Sequence, residues 1–300
     1  MTQLADARLS LEGLSLGDAF GDRFFLHAHT AKALIAERAL PKPPWDFTDD
    51  TNMALSIYEI LRLHGSIEQD ALADSFAKHY EPSRGYGAAM HGVLRRIAAG
   101  ESWRGVAASL FEGQGSYGNG AAMRTAPLGA YFADDLDRVV AEAHRAAEVT
   151  HAHPEGIAGA IAVSVAAAQA ARLRGQPAPE PDAFLESVLP YIPESEVKSG
   201  IRRAREIRTK AVAPVIRMIG NGYNISAQDT VPFTLWCASQ RLSNFEEAMW
   251  LTVSGLGDID TNCAIVGGIV ALFVGVENLP PTWIANREPL PDWALGEAQA

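Results

Sequence analysis

Two stretches of the chain hold oxygen ligands at a density that ordinary helix signals do not require. Thr48-Asp49-Asp50-Thr51 sets two adjacent carboxylates between two hydroxyls, just ahead of an apolar run (Met53, Ala54, Ile57, Ile60, Leu61) with helical spacing. Far along the chain, Gly257-Asp258-Ile259-Asp260-Thr261-Asn262 again puts two carboxylates and a hydroxyl before an apolar run. Either stretch alone reads as a helix N-cap, worth about 1 kcal/mol. If the two meet in space, four carboxylates share one small volume, and each buried charge left uncompensated costs several kcal/mol. Asp49, Asp50, Asp258 and Asp260, with Thr48 and Thr261, make an oxygen-only ligand set. It suits hard cations such as Mg²⁺, Mn²⁺ or Ca²⁺, whereas zinc prefers His and Cys. Two such ions could polarise an oxygen and orient a sugar diol. Residue types alone leave a metal centre and two separate helix caps equally open.

A glycine-rich loop is the second chemical signal. Gly113-Gln-Gly-Ser-Tyr-Gly-Asn-Gly120 can converge backbone N–H groups on an anion, with Ser116 and Asn119 adding side-chain donors. No Gly-Lys-Ser/Thr follows and no strand precedes it, so it is neither a Walker loop nor a Rossmann turn. A plain helix–helix connection is the structural alternative. Arg84-Gly-Tyr-Gly87 is a third turn, whose aromatic could stack on a base or ribose. His151, in Thr150-His-Ala-His-Pro154, closes a helix and reads first as a C-terminal cap. Asp18 is a lone acid among small residues, where a buried structural hydrogen bond is expected.

The elements that must position these residues are helical throughout. Leu11–Phe20 carries apolar residues with glycines at 13, 17 and 21, as where helices approach closely. Helices are expected over 52–64, 69–80, 86–99, 103–111, 134–150, 156–171 and 195–210, and over 245–254 with capping-box spacing at Ser243–Glu246. Residues 172–181, rich in Gly and Pro, read as a surface loop within one helical domain spanning 1–300. Pro280-Pro281 and the tail after Trp293 read as the end of the fold.

Composition narrows the function. The 300 residues are 48% hydrophobic and 20% charged, enough for a sizeable core, and the net charge is −11. That balance argues against nucleic acid or an anionic membrane as partners reached by bulk electrostatics, but not against a small anion held by local amides and metals. Cys237 and Cys263, both in apolar surroundings, read as buried core residues. The N-terminus shows no signal-peptide pattern, and the apolar segments 156–171 and 263–276 are bounded by charge, so a cytoplasmic location is expected.

Taken in order, Gly17-Asp18-Ala19, Thr48–Thr51, Arg84–Gly87, Gly115-Ser-Tyr-Gly-Asn-Gly-Ala-Ala-Met-Arg124, Thr150-His151 and Gly257–Thr261 make the chain resemble the ADP-ribosylglycohydrolases from about residue 10 to residue 276. The resemblance implies a compact all-α fold with two Mg²⁺ or Mn²⁺ ions at the mouth of an ADP-ribose cleft. By position it implies that Thr48, Asp49, Asp50, Asp258, Asp260 and Thr261 are metal ligands, the four aspartates being catalytic. Gly115, Ser116, Tyr117, Gly118 and Asn119 would hold the diphosphate and distal ribose, His151 would contact the ligand, and Tyr86 with its glycines would border the cleft. The implied reaction is hydrolysis at the anomeric carbon of the distal ribose by a water activated by a metal or an aspartate. ADP-ribose would leave a modified protein side chain or a small ADP-ribosyl adduct.

One departure concerns the acceptor side. Several family members have a Glu shortly after the first Gly-Asp motif, and here the run is Gly21-Asp22-Arg23-Phe24-Phe25, with Phe25 in that place and Asp22 the nearest acid. A second reading, a non-catalytic ADP-ribose binder or crystallin-type structural relative, sits poorly with retention of four costly carboxylates. A third, a two-metal phosphohydrolase cleaving the diphosphate, is allowed by the ligand set alone.

Overall fold

The computed structural model describes residues 2–296, and among them no strand occurs. Helices and short 3₁₀ turns make up the fold, with extended pairing limited to isolated bridges at Trp45–Arg287 and Gly118–Ser226. The all-α expectation holds.

Two helices form the axis. Gln3–Asp22 starts where the Thr2 hydroxyl accepts the Ala5 N–H at 3.2 Å, well before the Leu11–Phe20 periodicity begins. Against it lies Ile259–Val274. A Cβ on Gly13 would come within 2.3 Å of the Ala271 Cβ, and one on Gly17 within 2.1 Å of the Cys263 carbonyl oxygen. Only glycine lets the two backbones touch here, and Ser10 Oγ donates to the Gly268 carbonyl across the seam at 2.8 Å. This contact carries Asp18, on the first helix, to the N-terminal turn of the second, where Asp260 stands.

Past its polar first turn, the Ile259–Val274 helix is apolar on every side and buried almost throughout, as such a pattern requires. It packs against Phe245–Val253, Pro154–Arg172, Ala227–Gln240 and Ala126–Tyr131 as well as the first helix. Pro154–Arg172 is long and apolar enough to cross a bilayer, but its surface is buried against its neighbours. Cys237 and Cys263 are both free and buried in this core. Phe20, two residues past Asp18, stacks on Trp283 at 4.3 Å and meets Trp250 edge-on at 5.1 Å. Such pairs add about 0.5–1.5 kcal/mol beyond burial and anchor the acidic end of the first helix.

Several elements differ from expectation. The helix expected over 103–111 stops at Ala108, because Phe111 and Glu112 take left-handed backbone angles (φ 50° and 60°). The cap of Phe245–Val253 is Asn244, not Ser243: its side chain accepts the Glu247 N–H at 3.0 Å, so the capping spacing lies one residue further on. Ala28–Glu37, Val212–Ile219 and Ala227–Gln240 are helices that no periodicity announced. The last was masked by Pro232, which reads as a helix breaker yet sits inside it and packs on Gly200. Pro280-Pro281 does not end the fold. The chain runs on through a helix at Pro281–Asn286, and Glu288 N–H then donates to the Trp45 carbonyl at 3.0 Å.

Candidate active site

The site is built on the N-termini of two helices, Asp49–His64 and Ile259–Val274. Asp18 reaches across to the first of these. Its carboxylate accepts the N–H groups of Thr48 and Thr51, each at 3.0 Å, and their hydroxyls at 2.8 and 2.5 Å. The structural hydrogen bond expected of Asp18 is therefore present, and it shares the capping of this helix with Thr48, whose hydroxyl accepts the Asp50 N–H at 3.4 Å. Oxygens of Asp18, Asp50 and Asp260 all lie within 4.8 Å of one another. Thr261 donates its hydroxyl to Asp50 Oδ2 at 3.3 Å, and the Thr48 hydroxyl lies 3.1 Å from the same oxygen. Asp50 Oδ1 is buried with no hydrogen-bond partner. A buried carboxylate oxygen left unpartnered beside two further carboxylates makes a donor set that could hold a hard cation.

The electrostatics agree. Burial, with neighbouring carboxylates, pushes Asp49 up to about 8 and holds Asp50 and Asp260 far above the carboxylate range. Burial also lifts Asp18 to about 6 and raises Asp258, where a hydrogen bond from Asn119 opposes it. In the metal-free chain these groups resist ionising together, and a bound cation would reverse the preference.

A cleft of about 520 Å³ opens over the cluster. Asp49, Asp258, Asp260 and Thr261 form one wall; Ser116 to Gly120 and His151 form the other. Asn119 bridges the two, its side-chain amide donating to Asp258 Oδ2 at 2.6 Å and Thr230 Oγ1 at 3.0 Å. The His151 ring is buried against the glycine loop: a Cβ on Gly120 would stand 3.0 Å from His151 Cε1. His151 Nδ1 lies 2.7 Å from the Thr150 hydroxyl, which accepts from Arg124 Nη2 at 2.8 Å. Burial, then the Arg124 charge, lowers His151 to about 3, so the imidazole is neutral. Arg124 itself is fully buried over the Phe76 ring and is brought down to about 9 by that burial, with Asp49 opposing the fall.

On the far side of Asp258 and Asp260 lies a second hollow of about 620 Å³, whose rim includes Asp22, Phe25, Asp46 and Thr48. The segment leading into Thr48 is held from outside. Glu288 accepts the Phe47 N–H at 2.8 Å and pairs with Arg84, which donates to the Phe47 carbonyl at 2.9 Å and covers its ring.

The two acidic stretches thus converge, and the glycine loop and His151 face them. Some expected residues sit elsewhere. The Tyr86 ring turns inward, 5% exposed, where Asn52 Nδ2 donates to its hydroxyl at 2.8 Å; its neighbours Gly85, Gly87 and Ala88 to Met90 border the cleft. Gly115 is a turn residue (φ 78°) packed on the His153 backbone. Thr48 opens onto the second hollow, not the cleft. Residues that sequence reasoning passed over are Phe111, exposed and stacked near Tyr117 at 6.1 Å across the cleft mouth, and Glu288, the ion-pair partner of Arg84. Asp18 was read as structural only.

Comparison with known proteins follows the same lines. The model of the ADP-ribosylglycohydrolase family matches residues 2–299. The chain is 29% identical to ADP-ribosylhydrolase ARH3 of Xenopus tropicalis, over 95% of this chain and 91% of that protein. It is 30% identical to ADP-ribosylhydrolase ARH3 of Bos taurus (81% and 74%), and 25% identical to ADP-ribosylarginine hydrolase Tri1 of Serratia proteamaculans (94% and 75%). A solved structure described as an ADP-ribosylglycohydrolase-related protein complex shares the fold, with a TM-score of 0.67 at 24% identity over 95% of this chain and 93% of that one. On the family match along nearly its whole length, this chain belongs to the ADP-ribosylglycohydrolase family.

Proposed function

We propose that this protein hydrolyses the glycosidic bond between ADP-ribose and a protein side chain or small acceptor, releasing ADP-ribose. Two divalent cations, Mg²⁺ or Mn²⁺, are the cofactors of this reading, with Asp18, Asp49, Asp50, Asp258, Asp260, Thr48 and Thr261 as the residues that would hold them. The observation that carries it is the meeting of two distant acidic stretches at one wall of a cleft whose opposite wall is a glycine loop. The unpartnered Asp50 oxygen supports the metal assignment. When bound, such ions supply Lewis acidity and orient ribose hydroxyls.

The residues divide the remaining work. Backbone around Ser116–Gly120 and the neutral His151 face the diphosphate. The Thr150 hydroxyl accepts from Arg124 and lies 2.7 Å from His151 Nδ1; in the tautomer this reading uses, it donates to Nδ1 and Nε2–H is left as a donor toward the cleft. Phe111 and Tyr117, both exposed with rings 27° from parallel, offer faces to the purine. Asn119 fixes the Asp258 carboxylate beside the distal ribose. The acceptor departs through the hollow rimmed by Asp22 and Phe25. Asp22, raised by its burial, is the acid there suited to exchange a proton with the leaving group or with water, in place of the Glu that Phe25 displaces.

Incubating arginine-modified and serine-modified ADP-ribosylated proteins with the metal-loaded protein, and separating the products by chromatography, tests this. Release of ADP-ribose is expected from at least one. AMP would reassign the reaction to the diphosphate, and tight binding without turnover would make the protein a binder.

A further inference from the structure

Behind the cleft lies a buried cation that no carboxylate answers. Arg124, just past the glycine loop, is fully enclosed, and among the described residues it forms no ion pair. Taking a guanidinium out of water is costly unless its surroundings repay it. Its fork is spent on other groups: Nη1 on the Met53 sulfur at 3.6 Å, Nη2 on the Ala146 carbonyl at 3.1 Å and the Thr150 hydroxyl at 2.8 Å. The first and last of these stand one step behind the ligand. Met53 lines the cleft, one turn along the helix that begins at Asp49, and Thr150 precedes His151 on the opposite wall. A lysine, with a single point of attachment, cannot bridge both.

The bond to Thr150 decides where the imidazole carries its proton. Arginine can only donate, so Thr150 Oγ1 accepts from it. Thr150 is enclosed, and the other group its hydroxyl meets is His151 Nδ1, at 2.7 Å. Were Nδ1 protonated, Thr150 Oγ1 would face two donors, and its own hydrogen would be buried with no acceptor. With Nδ1 bare, that hydrogen is used and the ring proton sits on Nε2. Among the described residues Nε2 has no hydrogen-bond partner. It lies against the glycine loop, 3.1 Å from where a Cβ on Gly120 would stand and 3.3 Å from one on Gly118, and the ring lines the cleft.

We infer that Arg124 is a positioning residue of this cleft: through Thr150 it locks His151 in the Nε2–H tautomer, and through Met53 it ties that wall to the helix carrying Asp49 and Asp50. The inference rests on the reading above, in which His151 faces the diphosphate. A neutral ring with a fixed Nε2–H donates to a phosphate oxygen, whereas the other tautomer would turn a lone pair toward it.

Nitrogen NMR of the magnesium-loaded full chain with isotope-labelled histidine tests it, the His151 signal being the one absent from His151→Ala. Wild type should show one neutral tautomer with its proton on Nε2. Thr150→Val removes the hydroxyl and should shift the Nδ1 signal and let the Nδ1–H form appear; Thr150→Ser should restore the wild-type spectrum. In calorimetry Thr150→Val should bind ADP-ribose about tenfold more weakly, the worth of a hydrogen bond to a charged group, while adenosine, which lacks the diphosphate, changes by less than about twofold. Arg124→Met should reproduce both effects. Because its site is enclosed, circular dichroism must show that variant folded, and the Thr150 variants carry the test if it is not. A proton on Nδ1 in wild type, a spectrum unchanged in Thr150→Val, or equal losses of adenosine and ADP-ribose would overturn the inference while leaving the functional reading intact. Failure of the wild-type protein to bind ADP-ribose would overturn the functional reading and the role built on it, with only the tautomer left standing.

Discussion

Withdrawing divalent cations should make the stability of this fold fall as pH rises. In the metal-free chain, burial and neighbouring carboxylates hold Asp49 up to about 8, and burial holds Asp18 up to about 6, against an ordinary 3.8. The folded chain therefore binds more protons than the unfolded one between about pH 4 and pH 8. The stability tied to the protonated carboxyls is complete below about pH 4 and is lost as pH climbs through 6 and then 8. Each tenfold change in proton affinity is worth about 1.4 kcal/mol, so Asp49 alone contributes on the order of 5 kcal/mol. At about 2 °C per kcal/mol for a chain of this size, the chelated protein should melt about 10 °C lower near pH 8 than near pH 5. A cation at a hundred times its dissociation constant returns about 2.7 kcal/mol, and it binds the ionised cluster best. Magnesium should therefore raise the melting temperature more near pH 8 than near pH 5. Thermal melts followed by circular dichroism, in chelator and in saturating magnesium across this range, provide the assay. A chelated melting temperature that is flat or rising with pH, or a magnesium effect equal at both ends, would refute the electrostatic reasoning.

Other perturbations separate chemistry from scaffold. Asp49→Ala/Asp50→Ala should remove turnover while helical circular dichroism persists; activity surviving in that variant with metal chelated would contradict the mechanism. His151→Ala should weaken ADP-ribose binding about tenfold in calorimetry, the worth of one buried hydrogen bond to a charged group, with magnesium affinity unchanged. Phe111→Ala should cost about 1–3 kcal/mol of ADP-ribose affinity if the ring stacks on the purine, and near-normal affinity would remove Phe111 from the site. Gly17→Ala forces a Cβ to within 2.1 Å of the Cys263 carbonyl oxygen and should destabilise the fold by about 3 kcal/mol or more in urea titration.

How much of this was legible depends on whether the signal was local. The paired carboxylates announced themselves because capping needs one oxygen and each stretch supplies several. The glycines at 13, 17 and 21 announced a close helix contact, and the structure shows which carbonyls they meet. Asp18 was legible only as a structural acid, since its second role depends on where that contact places it relative to Asp50 and Asp260. Phe111 fitted the apolar stripe of its neighbours, and nothing in its spacing reveals the left-handed backbone that turns it out to the cleft mouth. Tyr86 looked like a stacking residue between glycines, but Asn52 and its aromatic neighbour Tyr80 draw the ring inward. Glu288 lies beyond a Pro-Pro break, so its grip on Arg84 and Phe47 is a purely tertiary fact. Pro232 hid a core helix because tertiary packing tolerates what propensity forbids.

The account rests on two acidic helix ends closing around a pair of hard cations at one wall of a nucleotide-sugar cleft. Anomalous diffraction from manganese-soaked crystals carrying ADP-ribose tests that most directly. The expected result is two manganese peaks among Asp18, Asp49, Asp50, Asp258 and Asp260, with the distal ribose beside them. Clear ligand density with no manganese at those carboxylates would contradict it.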